Sequence, residues 1–310
     1  MKPARRPLDG VLLLDKHAGP SSNAALQRAR HLFNAAKAGH TGTLDPMATG
    51  LLPICFGEAT KFSADLLNAD KVYEAVIALG KVTTTGDADG TVLRQAAVQV
   101  SREQVEAALQ RFRGSIEQVP PMHSALKHQG RPLYAYAREG TEIDRVPRVV
   151  TILRLDLVEF GGDLVHLEVA CSKGTYIRVL AADLGDALGC GGHLARLRRV
   201  RVGPLELSAA TTLEALEQLD SVSRDALLQP LDSLVQTLPM VILEGEAARR
   251  FAHGQLLRVP DCGATGEVRV YAAGRFVGVG TLEPEGTLAP RRLISTQAPR
   301  EAGILPANER

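Results

Sequence analysis

Three stretches of the chain combine residue types that could do chemistry. The first, Gly39–Gly50 (GHTGTLDPMATG), holds one acid, Asp45, among glycines and beside Pro46. Proline biases Asp45 toward an extended conformation. The spacing fits neither G-x-x-x-x-G-K-[ST] nor G-x-G-x-x-G, so a phosphate-cradling loop is a poor reading. On composition alone, Asp45 reads better as an Asx-turn residue than as a catalytic acid. The second stretch, Cys171–Leu184 (CSKGTYIRVLAADL), places Tyr176 and Arg178 at the start of a helix. An arginine there opposes the helix dipole, which raises the question of what anion it meets. An ordinary surface arginine is the plainer reading. The third, His193–Arg201 (HLARLRRVR), sets Arg196, Arg198, Arg199 and Arg201 among Leu197 and Val200. It reads as a strand with one basic face, either solvated or meeting phosphates.

Elements that would position these residues are legible around them. Val11–Asp15 is a short apolar strand, and Asn23–Phe33 has helical spacing after the start signal Ser21-Ser22. The loop Gly39–Gly50 excludes regular structure. Leu51–Phe56 is apolar, Glu58–Leu67 helical, and Lys71–Leu79 a strand carrying Tyr73. Thr83–Gly90 is polar and turn-rich. Ser101 and Gln104 form a capping box for a helix that stops at Gly114. Pro120–Arg131 is an exposed segment rich in His, Lys and Arg, and a short helical turn ends at Gly140. Val149–Phe160 and Leu164–Cys171 form a hairpin about Gly161-Gly162. Tyr176–Leu188 is an amphipathic helix closed by Gly189, and Thr211–Glu214 reads as a second capping box. After Pro239 the pattern changes to one helix, Glu246–His253, and short strands at Glu267–Ala272, Arg275–Leu282 and Arg291–Ser295. A boundary near Leu238–Val241 and a loose tail over 301–310 follow.

Composition narrows the function classes. The chain has 310 residues, 45% apolar and 23% charged, enough for two domains with real cores. Trp is absent and aromatics total 4%, which disfavours a surface built of stacking platforms. A net charge of +1 gives no whole-molecule basic field, so contacts to a polyanion must be local. The four cysteines form no C-x-x-C pair and read as reduced thiols of a cytoplasmic protein. No 18-residue apolar run and no signal-peptide core are visible. No ligand cluster suggests a metal or an organic cofactor.

At this point several motifs carry one resemblance. Gly39–Lys61 (GHTGTLDPMATGLLPICFGEATK) resembles the signature loop of the TruB family, the tRNA pseudouridine-55 synthases. Leu12–Ser22 (LLLDKHAGPSS) resembles that family's lysine motif, with His17 where the family usually has proline. Pro121–Arg138 (PMHSALKHQGRPLYAYAR) resembles its RNA-contacting insertion, Cys171–Arg199 its third motif, and the C-terminal part a PUA domain. The match runs over about the whole chain in the family order.

The resemblance implies an α+β fold: a pseudouridine-synthase catalytic domain over 1–238, with a central mixed, largely antiparallel sheet flanked by helices and loops. It implies an RNA-contacting insertion at about 120–148 and a small β-rich PUA-like domain over 239–300. Uridine 55 of the tRNA T-loop would be flipped out and isomerised. Asp45 would be the catalytic aspartate, Arg178 its paired arginine, and Tyr73 the active-site tyrosine. Leu197 would line the pocket and His40 would wedge beside the flipped nucleotide. Lys16, Lys61, Lys127, Tyr176 and Arg199 would serve as RNA-binding or structural contacts. The lone acid suits an isomerase, since no water is activated and no base leaves. The partners implied are the tRNA T-arm and, through the C-terminal domain, the acceptor end. No metal, cofactor, membrane or obligatory protein partner is implied, and a monomer is expected. The rival reading is an RNA-binding or RNA-folding protein of the same fold acting without catalysis. A nucleoside hydrolase or glycosylase is a weaker rival, and a synthase of the same superfamily guided by a separate RNA is a nearer alternative, against which the compact motif set favours a stand-alone enzyme.

Overall fold

The computed structural model describes residues 4–259 and 263–295. Its contacts divide the chain into two units between Leu234 and Val235. That is four residues before the expected boundary, because the turn Leu231–Leu234 packs back on the first unit and buries Leu234.

The first unit is built on one nine-stranded sheet: β1 (Gly10–Lys16), β2 (Ala38–His40), β3 (Thr49–Phe56), β4 (Lys71–Leu79), β5 (Gly114–Gln118), β6 (Arg148–Gly161), β7 (Leu164–Cys171), β8 (Gly192–Val202) and β9 (Leu205–Glu206). The order is β1-β3-β8-β4-β7-β6-β5, with β2 on β3 and β9 on β8. The β3–β8 pairing is parallel and lasts two residues, Thr49–Gly50 against Arg198–Arg199; the other pairings are antiparallel. The sheet is thus mixed and largely antiparallel, as expected. At the parallel junction Gly50 takes φ 99°, and a Cβ there would lie 2.3 Å from the Arg199 carbonyl. Only glycine lets the two strands meet.

The helices α1 (Ser22–Leu32), α2 (Arg102–Leu109), α3 (Ile177–Ala187) and α4 (Leu213–Gln218) contribute apolar faces to one core. In α1, Ala25, Leu26 and Ala29 are buried, a spacing of one and three residues that forms a single stripe. Ser21 caps it by accepting from the Ala24 N–H at 3.1 Å, a contact typically worth about 1 kcal/mol. The Ser101–Gln104 capping box forms on α2. The second one does not: the cap of α4 is Thr212, which accepts from Ala215 N–H. Thr211 is drawn off instead by backbone hydrogen bonds to Leu13 and Asp15 of β1.

Three other expectations are corrected. The Gly39–Gly50 stretch is not wholly irregular, since β2 takes its first residues and β3 its last. Glu58–Leu67 is a 3-10 turn, Gly57–Lys61, followed by the short helix Ser63–Leu67. The arginines of β8 do not share one basic face. Adjacent strand residues point to opposite faces, so Arg198 and Arg199 diverge, and register shifts beside Leu194/Arg196 and Arg199/Arg201 bracket this stretch. Arg198 stays partly exposed and pairs with Asp15 at 2.7 Å, whereas Arg199 is buried to 1% exposure on the Leu197 side.

The second unit is a five-stranded sheet with a helix, α5 (Gly245–Ala252). Its strands are β10 (Met240–Leu243), β11 (Leu257–Arg258), β12 (Gly266–Ala272), β13 (Arg275–Leu282) and β14 (Thr287–Leu293), in the order β10-β12-β13-β14-β11. The strands β10 and β11 were not legible in the sequence; they are four and two residues long. Val241, Phe251, Val268, Val270 and Leu288 form the core. The expected tail over 301–310, and Cys262, lie outside the described residues.

Candidate active site

Asp45 sits in the connection between β2 and β3, and that connection is pinned on both sides. On one side the Ser22 hydroxyl, at the first turn of α1, donates to the Leu44 carbonyl at 2.9 Å and accepts from the Leu44 N–H at 2.7 Å. On the other, Lys16 ends β1 opposite Gly50 and turns its ammonium inward. It donates to the carbonyls of Ala48 (2.7 Å), His17 (2.9 Å) and Pro46 (3.2 Å). A buried lysine needs such acceptors. Burial still pushes its ammonium down to about 8, against the pull of Asp45. Lys16 is therefore a tether of the aspartate loop and has no free donor face for RNA. The His17 ring points outward to Glu214 at 3.3 Å, so the departure from proline leaves the tether intact.

Arg178 enters from α3, one residue after its first. Its guanidinium is 5% exposed and meets four groups. Nε lies 3.0 Å from Asp45 Oδ2 and 3.6 Å from Asp87 Oδ2. Nη1 donates to the Thr85 carbonyl at 3.1 Å. Nη2 donates to the His123 carbonyl at 2.7 Å and reaches Asp45 Oδ1 at 3.4 Å. The anion that Arg178 meets is thus Asp45, with the buried Asp87 beside it, and both offset the arginine's position at the positive end of the helix dipole. Sequence reasoning missed Asp87; the only signal was an acid in a turn-rich segment. Burial raises the Asp45 carboxyl above the ordinary range; Arg178 pulls it back, and Asp87 and Asp89 push with the burial.

Asp45, Tyr73, Tyr176, Arg178, Leu197 and Arg199 line one cavity of 260 Å³, with Ser124 and Lys71. Tyr73 is in register with Val169 on one side and Arg199 on the other. Burial holds its phenol well above its usual range, with Arg199 opposing, so it stays protonated near neutrality. Arg199 donates to the carbonyls of Leu51 (2.8 Å) and Gly42 (3.2 Å), locking the loop to the sheet. Lys71, also missed, donates to Leu67 and Ala69 carbonyls and is lowered to about 8 by burial.

The remaining expected residues are not in this cavity. His40, on β2, is partly buried, with an Nδ1 that has no hydrogen-bond partner; burial and Arg199 hold its ring below the usual range and so neutral. Lys61 lies on the 3-10 turn, 2.7 Å from Glu58. Lys127 is exposed on the two-stranded hairpin Lys127–His128/Arg131–Pro132 of the insertion. A larger cavity of 910 Å³, lined by Met47, Glu74, Val76, His166, Arg196 and Arg198, touches neither Tyr73 nor Arg178. Among the described residues no cluster of His, Cys, Asp and Glu could hold a metal, and no helix is long and apolar enough to cross a membrane.

A mixed sheet thus carries a pinned aspartate, a buried arginine and a neutral tyrosine around one small cavity. Comparison with known proteins gives the class of protein. Residues 30–177 match the TruB family pseudouridylate synthase N-terminal domain, 178–236 the tRNA pseudouridylate synthase B C-terminal domain, and 239–294 the C-terminal domain of pseudouridine synthase II TruB. The tRNA pseudouridine synthase B of Dechloromonas aromatica is 59% identical over 293 residues, 94% of this chain and 98% of that protein. That of Stutzerimonas stutzeri is 54% identical over 302 residues, 96% and 99% of the two chains. Among solved structures, a Cbf5-Nop10-Gar1 complex contains a chain that matches at TM-score 0.71 and 26% identity, covering 92% of this chain and 84% of that one. An H/ACA RNP bound to a substrate RNA containing 2′-deoxyuridine matches at TM-score 0.69 and 25% identity, covering 94% and 86%. The chain belongs to the TruB family of pseudouridylate synthases.

Proposed function

We propose that this chain converts uridine 55 in the T-loop of tRNA to pseudouridine, with Asp45 as its catalytic carboxylate. The observation that carries the reading is the pair formed by Asp45 and Arg178 at the wall of the 260 Å³ cavity, Nε to Oδ2 3.0 Å. The cavity is below the roughly 300–1,000 Å³ of drug-sized ligand sites, which suits one flipped base better than a nucleotide cofactor. Glycosidic cleavage leaves positive charge at C1′ of the ribose, and a carboxylate there either attacks or balances it. Arg178 favours the ionised carboxylate that this needs. Tyr73 and Leu197 give the uracil a stacking face and an apolar wall along which it turns before rejoining through C5. Tyr73 is held neutral, so its hydroxyl can donate a proton and serves less well as a base.

The relatives named tRNA pseudouridine synthase B support tRNA as the substrate. In the same reading His40 meets the RNA as a neutral wedge, and Lys127 and the insertion grip the T-arm. Arg199 and Tyr176 shape the base pocket, and Lys61 contacts the backbone. The β-rich second unit, read as PUA-like, reaches the acceptor end. The enzyme works in the cytoplasm as a monomer without a protein partner or cofactor. Tritium release from C5-labelled uridine in a T-arm hairpin, with nucleoside analysis of the digest, tests the reading. Pseudouridine is expected. Unchanged uridine with retained binding would favour an RNA-folding role, and an abasic site would mean a glycosylase.

A further inference from the structure

The mechanism uses Arg178 but leaves open what fixes the helix that carries it. The first residue position of α3 has no side-chain cap: the N-cap is Tyr176, in an extended conformation (φ −104°, ψ 107°). In place of a cap, Gln118 pairs with the Tyr176 backbone in both directions. Its Oε1 accepts from the Tyr176 N–H at 2.9 Å, and its Nε2 donates to the Tyr176 carbonyl at 3.2 Å. Gln118 is 2% exposed and ends β5, with Arg148 of β6 as its register partner. The edge of the sheet is thereby joined to the residue two positions before Arg178. Five residues beyond Gln118, the His123 carbonyl accepts from Arg178 Nη2 at 2.7 Å. One continuous segment, Gln118–His123, therefore holds the helix start at one end and the arginine tip at the other.

We propose that Gln118 is a positioning residue for the isomerisation: its amide clamps Tyr176, and through that fixes where Arg178 meets Asp45. This deepens the reading proposed above and rests on it. No glutamine need be there for bulk alone. A buried amide is costly unless both its polar ends are paired, and here both are paired to one residue's backbone. A slip of about 1 Å in the arginine would cost up to about 10²-fold in rate without touching the RNA surface.

The test compares wild type with Gln118→Met, which keeps the side-chain length and removes both hydrogen bonds. Gln118→Glu is the second variant; it keeps the acceptor for the Tyr176 N–H and, when ionised, forfeits the donor to its carbonyl. Steady-state turnover of a T-arm hairpin should show kcat lowered about 10- to 10²-fold in Gln118→Met, with KM within about twofold. Gln118→Glu should lower kcat at least as much where its carboxyl is ionised, since its second oxygen then faces the Tyr176 carbonyl.

A second readout separates positioning from mere packing. The groups facing Asp45 are Arg178 from α3, Tyr176 at the start of that helix, Tyr73 from β4, Asp87 and Asp89 from the turn after Thr83, and Lys16 from β1. Among the charged ones, Arg178 is the one whose helix Gln118 holds. Loosening it should move the acid limb of the kcat profile to higher pH in Gln118→Met. Amide exchange over Tyr176–Leu180 should also quicken, whatever the substrate.

Wild-type turnover in the same assay tests the functional reading itself, and the variant-to-wild-type ratio tests Gln118. Equal kcat in all three proteins would overturn the proposal. So would a loss carried wholly by KM, or unchanged exchange over Tyr176–Leu180. A lowered kcat with an unmoved acid limb would make Gln118 a packing residue. If Gln118→Met does not fold, Gln118→Glu decides by the same measures.

Discussion

The aspartate loop and the insertion are both irregular segments that face the same cavity, yet they are built in opposite ways. Around Asp45, the flanking residues Leu44, Pro46 and Ala48 are held by Ser22 and Lys16, both buried to 1% exposure. Around Lys127, the insertion is a two-residue hairpin and a single helical turn, with exposed charges and cation–aromatic contacts such as Arg131 over Tyr136 at 4.7 Å. The first has its polar groups satisfied by buried partners, so it holds one geometry. The second has few buried contacts, so it can adapt. The difference separates chemistry from capture: changes in the first region should appear in kcat, and changes in the exposed part of the insertion, beyond the His123 carbonyl that holds Arg178, in affinity and salt dependence.

The largest expected effect is at Asp45. Asp45→Asn keeps the shape and removes the charge, so pseudouridine should become undetectable while hairpin binding persists. Nucleoside analysis beside a binding titration checks both; loss of binding as well would make Asp45 a structural residue. In wild type, kcat should fall on acidification at a pH above the ordinary aspartate range, because burial raises this carboxyl and the reaction needs it ionised.

Next comes Arg178→Lys. A point charge cannot replace a guanidinium that reaches Asp45, His123 and Thr85 together. A loss of about 10²–10³ in kcat is expected, comparable to removing a preorganised donor elsewhere. Near-normal turnover on the hairpin would erase the contrast between the two regions at its centre.

Lys16→Met should cost about 1–3 kcal/mol of stability, since three carbonyls lose their donor. It should also lower kcat by loosening the loop. The pH dependence has a definite sign. The lysine sits at about 8 in the folded chain and near 10.5 when unfolded. Between those values the unfolded chain binds more protons, so stability rises with pH across that window. Denaturant titrations at pH 7.5 and 10 should show wild type gaining on Lys16→Met; a gap that narrows would contradict the buried charge.

The smallest effect should come from the insertion. Lys127→Ala should weaken hairpin binding modestly, reduce the salt slope by about one, and leave kcat within about twofold. A large kcat loss would mean that the exposed hairpin of the insertion does more than capture.

Much of this architecture was legible beforehand because local chemistry and tertiary role coincided. The strand Lys71–Leu79 and the hairpin about Gly161-Gly162 follow from apolar alternation and turn residues, and the Ser101 capping box from its own spacing. Asp45, Tyr73, Arg178 and Leu197 were named through the family resemblance, and they do line one cavity. Asp87 was missed because a buried acid in a turn looks like an Asx-turn residue until a guanidinium is seen 3.6 Å away. Gln118 was missed because its partners are backbone groups 58 residues distant. The arginines of β8 misled because Arg198 and Arg199 are neighbours, which strand alternation sends to opposite faces, and a register shift between Arg199 and Arg201 follows.

The sequence by itself determined most of the long elements, the small and special residues available to the loops, and the set of residue types able to do the chemistry. Those depend on neighbours along the chain, on steric limits of single residues, and on motifs that span a few turns. Tertiary structure alone decided which cations are tethers and which are free. Lys16 and Lys127 are the same residue type, each followed by a histidine. One is surrounded by three carbonyls and withdrawn from solvent; the other stands exposed on a hairpin. Charge in a sequence has no address until burial and hydrogen-bond partners are fixed, and those come from segments far apart in the chain.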